Sequence, residues 1–216
     1  MPTRDIAVWN AMIHGYFGNK RVEDAVKFFD KMPRRNVISW TSMISGLDRH
    51  GRSDEALVHF QQMVGYGVQG TPNTYSCVIT ACASALAFGL GAGIHGHVIK
   101  LNYATDQYIA ASMITFYANC KKIENSCKIF NEKYHKNVAV WTALLTGYGL
   151  NSRHEDALKA CKLLEQSYFS KFTVMVAQKK RLAKFFKVHN AWINASQNQV
   201  LGCSCPLRYA RLAATK

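Results

Sequence analysis

The chain has 216 residues, room for one ordinary domain or a short run of small repeated units. Its 49 % apolar content is enough to bury a core and excludes wholesale disorder, and no apolar run reaches the roughly 18–20 residues of a membrane helix. A formal net charge of +14 favours a polyanionic partner such as nucleic acid. That charge is uneven: residues 1–165 hold 18 basic and all 13 acidic residues, while 166–216 hold 9 basic and none acidic.

Along the chain, Met1-Pro2-Thr3-Arg4-Asp5 has the pattern of Met32-Pro33-Arg34-Arg35-Asn36. It is expected to be the remnant of a preceding unit, with Met1 an internal methionine of a longer array. From residue 6 a repeat emerges. Trp9, Tyr75 and Trp141 lie 66 apart, with Trp40 standing 31 after Trp9 and 35 before Tyr75. Segments 6–29 and 138–161 agree at 12 of 24 positions, where chance gives about one or two. The units run 6–36, 37–71, 72–106, 107–137 and 138–165, followed by a basic tail over 166–216 without a recognisable unit.

Five registers repeat the same residue types. The seventh and eighth positions are apolar throughout (Met12-Ile13, Met43-Ile44, Val78-Ile79, Met113-Ile114, Leu144-Leu145). The twentieth is small (Ala25, Ala56, Gly91, Ser126, Ala157), and the tenth is small except at Phe116 (Gly15, Gly46, Ala81, Gly147). Small residues at fixed places are expected to let helix backbones approach closely.

Each unit reads as two helices. In the first, Val8, Met12 and Ile13 form one apolar face, and Gly18-Asn19-Lys20 ends the helix. A second helix follows through Val22, Ala25, Val26 and Phe29, with Pro33 barring its continuation after Met32. In the fifth unit, Ser152 and Glu155 have the spacing of a capping box and predict a helix start at Ser152. A single pair cannot bury its apolar stripe, whereas stacked pairs can. The expected fold is therefore all-α, an α-solenoid of stacked antiparallel helix pairs, over residues 6–164.

The residues that carry these registers resemble the pentatricopeptide repeat family in its plant form, with alternating short and long units. The resemblance rests on VISWTSMISGLDRHGRSDEALVHFQQM (37–63), VAVWTALLTGYGLNSRHEDAL (138–158), TYSCVITACASALAFGLGAGIHGHVIK (74–100) and DKMPRRNV (30–37). It implies a right-handed, tetratricopeptide-like superhelix that binds single-stranded RNA in organellar RNA processing or editing. The implied compartment is a mitochondrion or plastid, the mitochondrion preferred, although no targeting segment is visible in the chain. Further RNA-processing proteins are possible partners; no membrane span, small-molecule substrate or cofactor is implied.

The implied logic is one base per repeat, read by two or three side chains. By resemblance the reading pair is the fifth and last residue of each unit: Asn10 with Asn36, Thr41 with Thr71, Ser76 with Asp106, Ala111 with Asn137, and Thr142 with an unassigned partner. Asn10/Asn36 resembles a pyrimidine-reading pair and Ser76/Asp106 a guanine-reading pair, while Thr41/Thr71 and Ala111/Asn137 depart from the usual combinations. The second position, which packs against bases in the family, holds Ala7, Ile38, Asn73, Tyr108 and Ala139. The competing reading of the Asn, Thr and Ser residues is ordinary helix-end chemistry. Candidates for phosphate contact are Lys20, Arg21, Arg34, Arg35, Arg49, Arg52, Lys121 and Lys122, against a solvated outer face.

Enzymatic signatures are sparse, and the chain is read as non-catalytic. The zinc deaminase signature, His-x-Glu with Pro-Cys-x-x-Cys, is absent. His95-Gly96-His97 lacks the glutamate, and residues two apart on a helix diverge. Cys203-Ser204-Cys205 has no partner pair at zinc spacing, so no metal site is assigned. The seven cysteines (Cys77, Cys82, Cys120, Cys127, Cys161, Cys203, Cys205) show no framework spacing and, with no apolar signal segment, point to free thiols in a reducing compartment. In the tail, QKKRLAKFFKVH (178–189) is basic and amphipathic, suited to docking or to a polyanion, against a plain solvated tail. The alternative to RNA is a helical-repeat scaffold for proteins, which uses the same architecture. Polar, small residues at the fifth and last positions favour RNA.

Overall fold

The computed structural model describes residues 5–132 and 137–168, without the side chains of 165–168. Ten helices follow in order: α1 (Ile6–Gly18), α2 (Val22–Asp30), α3 (Val37–Arg49), α4 (Ser53–Gly65), α5 (Pro72–Ser84), α6 (Phe88–Lys100), α7 (Gln107–Asn119), α8 (Ile123–Asn131), α9 (Val138–Leu150) and α10 (His154–Tyr168). No strand occurs among the described residues. The 31- and 35-residue spacings acquire a simple meaning. Odd helices α1 to α9 all have 13 residues, whereas α2 and α8 have 9 and α4 and α6 have 13. Four extra residues are about one helical turn, and the longer pairs spend them in the second helix.

Every odd helix reverses into its successor through the same turn. A residue with positive φ stands at Lys20, Gly51, Leu86, Lys121 and Ser152, only one of them glycine. The following N–H reaches back to close the helix end: Arg21 N to Tyr16 O, Arg52 N to Leu47 O, Ala87 N to Cys82 O, Lys122 N to Tyr117 O and Arg153 N to Tyr148 O, at 2.8–3.0 Å. This is the Schellman arrangement, in which satisfied carbonyls offset the cost of about 1–2 kcal/mol for a left-handed residue with a Cβ. It also corrects the expected start at Ser152. That residue occupies the left-handed turn (φ 56), α10 begins at His154, and Arg153 takes the cap position.

The core runs along the stack of odd helices and under the even ones. Ile13, Met43, Ile44, Val78, Ile79, Met113, Ile114, Leu144 and Leu145 are buried. Met12 is only half-buried and Val8 is exposed, so the first helix buries less of its apolar face than the sequence pattern suggests. Successive pairs are keyed by an aromatic at the fourth position packing edge-on against the twenty-fourth position of the pair before. Trp40 meets Phe29 at 5.0 Å between ring centroids, Tyr75 meets Phe60 at 6.2 Å, and Trp141 meets Phe130 at 4.6 Å.

The small residues work differently from the expectation. A Cβ on Gly46 would strike the Phe17 ring, and one on Gly91 the Phe116 ring. These glycines make room for an aromatic ring of the neighbouring pair rather than for a bare backbone. Gly147 faces the Ala118 side chain, and Gly15 faces open space. Of the described cysteines, Cys82 is buried and Cys77, Cys120, Cys127 and Cys161 are half-buried; the thiols of Cys77, Cys82, Cys120 and Cys127 are free of disulfides. Residues 1–4, Cys203, Cys205 and the 178–189 segment lie outside the described residues.

Candidate nucleic-acid interface

Because the odd helices stack serially, equivalent positions recur along one face. All five second positions, Ala7, Ile38, Asn73, Tyr108 and Ala139, are exposed there. Ile38 and Tyr108 leave 57 % and 62 % of their surface to solvent, apolar area that a stacked base would cover. Between α1, α3 and α5 lies a groove of about 250 Å³ whose lining includes His14, Ile38, Thr41, Arg49, Thr71 and Asn73. One candidate pair, Thr41/Thr71, and the second positions of two successive pairs therefore border one concavity.

The fifth positions differ in what they have left to offer. Asn10 Oδ1 is buried with no hydrogen-bond partner among the described residues, as is Trp40 Nε1 in the core. Thr41 is only 8 % exposed. Its hydroxyl lies 2.7 Å from Val37 O, to which it donates, and 2.8 Å from Thr74 Oγ1 on α5. Ser76 Oγ lies 2.8 Å from Ser112 Oγ on α7, with Thr80 donating to Ser76 O and to Ser112 Oγ. Ala111 has no polar atom. Thr142 is exposed and donates to Val138 O at 2.7 Å. Thr41 and Ser76 are thus tied to the next odd helix by hydroxyl contacts, whereas among the described residues Asn10, Ala111 and Thr142 are not.

The last positions all sit at the N-cap of the next odd helix. Asn36 Oδ1 accepts from Ser39 N at 2.9 Å, and Thr71 Oγ1 from Thr74 N at 3.3 Å, both within reciprocal capping boxes. Asp106 Oδ1 accepts from Tyr108 N and Ile109 N at 2.8 and 3.1 Å, and Asn137 Oδ1 from Val140 N at 3.0 Å. Helix-end chemistry therefore does engage these residues. It occupies part of each side chain, since an amide keeps its NH₂ and a carboxylate its second oxygen.

Half of the basic candidates are committed elsewhere. Arg21 pairs with Asp24. Arg52 bridges Glu55 and Glu23, and hydrogen bonding to Glu55 holds its guanidinium above the usual range. Arg35 donates to the Phe29 and Asp30 carbonyls and lies over the Phe29 and Trp40 rings. Lys121 Nζ donates to Leu150 O at 2.7 Å. Lys20, Arg34 and Lys122 are exposed. Arg49 is exposed on the groove itself and makes no ion pair among the described residues.

The sequence reading passed over the ninth positions, His14, Ser45, Thr80, Thr115 and Thr146, all polar. They stand four residues after the fifth, one turn along the same helix face, so i,i+4 spacing was the available signal. The groove also holds Cys77, whose thiol burial pushes up, against a smaller opposing effect of a Ser45 hydrogen bond. His95 and His97 diverge as their spacing requires, one to Tyr117 Oη at 2.8 Å and the other to Tyr75 Oη at 3.1 Å. Among the described residues, no group of three or more His, Cys, Asp or Glu could hold a metal ion, and no helix is long and apolar enough to cross a membrane.

Comparison with known proteins places this geometry. The model described as "PPR repeat family" matches residues 4–37 and 35–84, and the "PPR repeat" model matches 139–169. The chain is similar to the Arabidopsis thaliana pentatricopeptide repeat-containing protein At5g46460, mitochondrial, at 57 % identity over 42 % of this chain and 13 % of that protein. It is similar over 76 % of its length to At3g57430, chloroplastic, at 28 % identity and 16 % of that protein. The chain thus spans about a sixth or less of the length of these relatives. In structure it is similar to the pentatricopeptide repeat protein PPR10 from maize (TM-score 0.63) and to PPR10 in complex with an 18-nt psaJ RNA element (TM-score 0.65). Each is 18 % identical and covers 76 % of this chain and 25 % of that one. Family models and relatives agree with the helix-pair architecture: the chain belongs to the pentatricopeptide repeat family.

Proposed function

We propose that this chain binds single-stranded RNA along its odd-helix face, one base per helix pair, as part of an organellar RNA-processing or editing protein and without catalytic activity of its own. The observation that carries the reading is the groove between α1, α3 and α5, which gathers Thr41, Thr71 and the second positions Ile38 and Asn73 beside Arg49, a cation with no ion pair among the described residues. Apolar and polar groups there suit a base, and the cation suits a phosphate. The RNA complex of the structurally similar PPR10 and the mitochondrial and chloroplastic names of relatives support RNA and an organelle; of the two compartments the mitochondrion is our proposal.

Within the five units proposed over 6–165, Asn10 is the leading specificity residue because its side-chain amide offers both a donor and an acceptor to a base edge. The pairs Asn36, Thr41/Thr71, Ser76/Asp106, Ala111/Asn137 and Thr142 follow it along the face. The test is a gel shift with pooled single-stranded RNA over a salt series, followed by selection at low salt. Binding that weakens steeply with salt, with a shallower slope in Arg49→Gln, supports the reading. Asn10→Ala is expected to cost about 1 kcal/mol at one nucleotide only. Identical base selection by Asn10→Ala and wild type at every position would overturn one-base-per-pair reading.

A further inference from the structure

We propose that the outward face of α1 receives the α9–α10 end of a second copy of this chain, in a head-to-tail joint like those that link helix pairs within it. The proposal goes beyond the RNA-binding reading and does not depend on it. Two of the four joints between successive pairs carry the same ion-pair bridge. An arginine at the sixteenth position reaches the glutamate at the eighteenth position of the pair before. Arg52 Nη1 meets Glu23 at 2.6 Å and Arg153 Nη1 meets Glu124 at 3.4 Å, each across 29 residues. Each arginine also pairs with an acid three residues on, Glu55 and Asp156. The other two joints each lack a member, with Ala87 in place of the base and Gly89 in place of the acid. Both members recur at opposite ends of the described stack. Arg21 pairs with Asp24, three residues on, but with no acid of another helix pair; Glu155 is exposed and has no ion pair among the described residues.

A second register agrees. Asn151 Nδ2 donates to Gly147 O at 2.8 Å within its own pair and to Ala118 O of the pair before at 3.0 Å. Asn19, at the same position of the first pair, repeats the inner bond to Gly15 O at 2.8 Å and has no second acceptor among the described residues. Gly149 stands in the fifth pair where Ala118 stands in the fourth, so a second copy brings its carbonyl to Asn19. Asn19 lines an open groove of about 500 Å³ with Met12, Gly15, Tyr16 and Arg21. Phe17 and Ala118 of the pair before fill the space at Gly46 and Gly147, whereas a Cβ on Gly15 meets nothing within 4 Å. The occupant is a second copy because the fifth pair duplicates the first: Glu23-Asp24-Ala25, beside which Arg52 sits, recurs as Glu155-Asp156-Ala157. Cys161 stands where Phe29, Phe60 and Phe130 key the internal joints, so the contact is weaker than those and reversible. Its two surfaces differ, which makes the joint heterologous and lets copies add end to end.

The experiment is analytical sedimentation of the intact, ribonuclease-treated chain over a concentration series. It is run at physiological salt, where the net charge of +14 is screened beyond about 8 Å. The mass of wild type is expected to rise with concentration above the 24.3 kDa of one chain. A mass that stays at one chain throughout overturns the proposal. Arg21→Glu and Glu155→Arg set like charges against each other at the joint, and each is expected to weaken association by about tenfold or more. The chain carrying both changes is expected to regain it. An equimolar mixture of the two single variants is expected to regain it too, because their ends then match alternately. Association that ignores the single changes, or that neither the combined change nor the mixture rescues, overturns the proposal. Should a charge variant unfold by circular dichroism, Gly15→Trp decides, since its side chain enters the groove without meeting its own helix pair. Weakened association of a folded Gly15→Trp chain supports the proposal, and unchanged association overturns it.

Discussion

The joint between α6 and α7 is built unlike the joints on either side of it. Elsewhere a tryptophan or tyrosine at the fourth position meets a phenylalanine edge-on. Here those two places hold Ala110 and His95; alanine has no ring to offer, and His95 instead meets Tyr117 edge-on at 5.6 Å. The lost volume returns at Phe116, where other pairs carry glycine or alanine. Its ring sits where a Gly91 side chain would be and stacks near Phe88 at 6.1 Å, while Tyr117 bonds His95. The first turn of α6 also lacks the acidic residues of α2, α4 and α8, and Ala87 stands before it where Arg21, Arg52 and Lys122 precede the others. Each of these joints holds a buried aromatic ring, supplied from a different position at α6–α7.

The largest break of this comparison comes from removing the ring at either kind of joint. Trp40→Ala and Phe116→Ala are each expected to cost about 3–5 kcal/mol by chemical denaturation, since both side chains are nearly or wholly buried. A Phe116→Ala loss below about 1 kcal/mol, the scale of a tolerant surface site, would show that the α6–α7 joint does not depend on this ring.

Glycines in α6 sharpen the contrast at smaller magnitude. Gly91→Ala drives a methyl into a fully buried ring and should destabilise by about 1–3 kcal/mol. Gly93→Ala, on the same helix and facing open space, should instead stabilise by about 0.5–1 kcal/mol through lower unfolded-state entropy and better helix propensity. In a Phe116→Ala background the Gly91→Ala penalty should disappear, a coupling that a double-mutant cycle reads directly. Equal effects of the two alanines would mean that the ring gives way without cost.

The helical solenoid was legible because five registers of apolar and small residues at 31 and 35 spacing admit few other structures. The Asn, Thr and Asp residues before the odd helices were legible both as base readers and as caps, and the cap role is visible in the geometry. What the sequence hid are contacts between distant residues. The Thr41–Thr74 and Ser76–Ser112 hydroxyl contacts join residues 33 and 36 apart, and Arg52 reaches Glu23 across 29. No local pattern announces them. The capping-box spacing at Ser152 misled for a related reason: a turn shared by all five pairs overrides a local motif, and it places a left-handed residue there.

The smallest of the expected effects is a pH dependence, since a single half-buried histidine stands behind it. Burial pushes the His95 pKa below its ordinary 6.5, with the Glu132 charge acting more weakly in the opposite sense. Below about pH 6.5 the unfolded chain therefore binds more protons at this residue than the folded one. The contribution is intact above that pH and is lost as pH falls toward the depressed folded value, so stability at this joint rises with pH through the window. The measurement is the denaturation midpoint of wild type and His95→Gln at pH 7.5 and pH 5.5. Taking the difference between the two proteins cancels the carboxylates and the other histidines. His95→Gln should lose less on acidification than wild type, and an equal loss would remove His95 from the account of what holds α6 to α7.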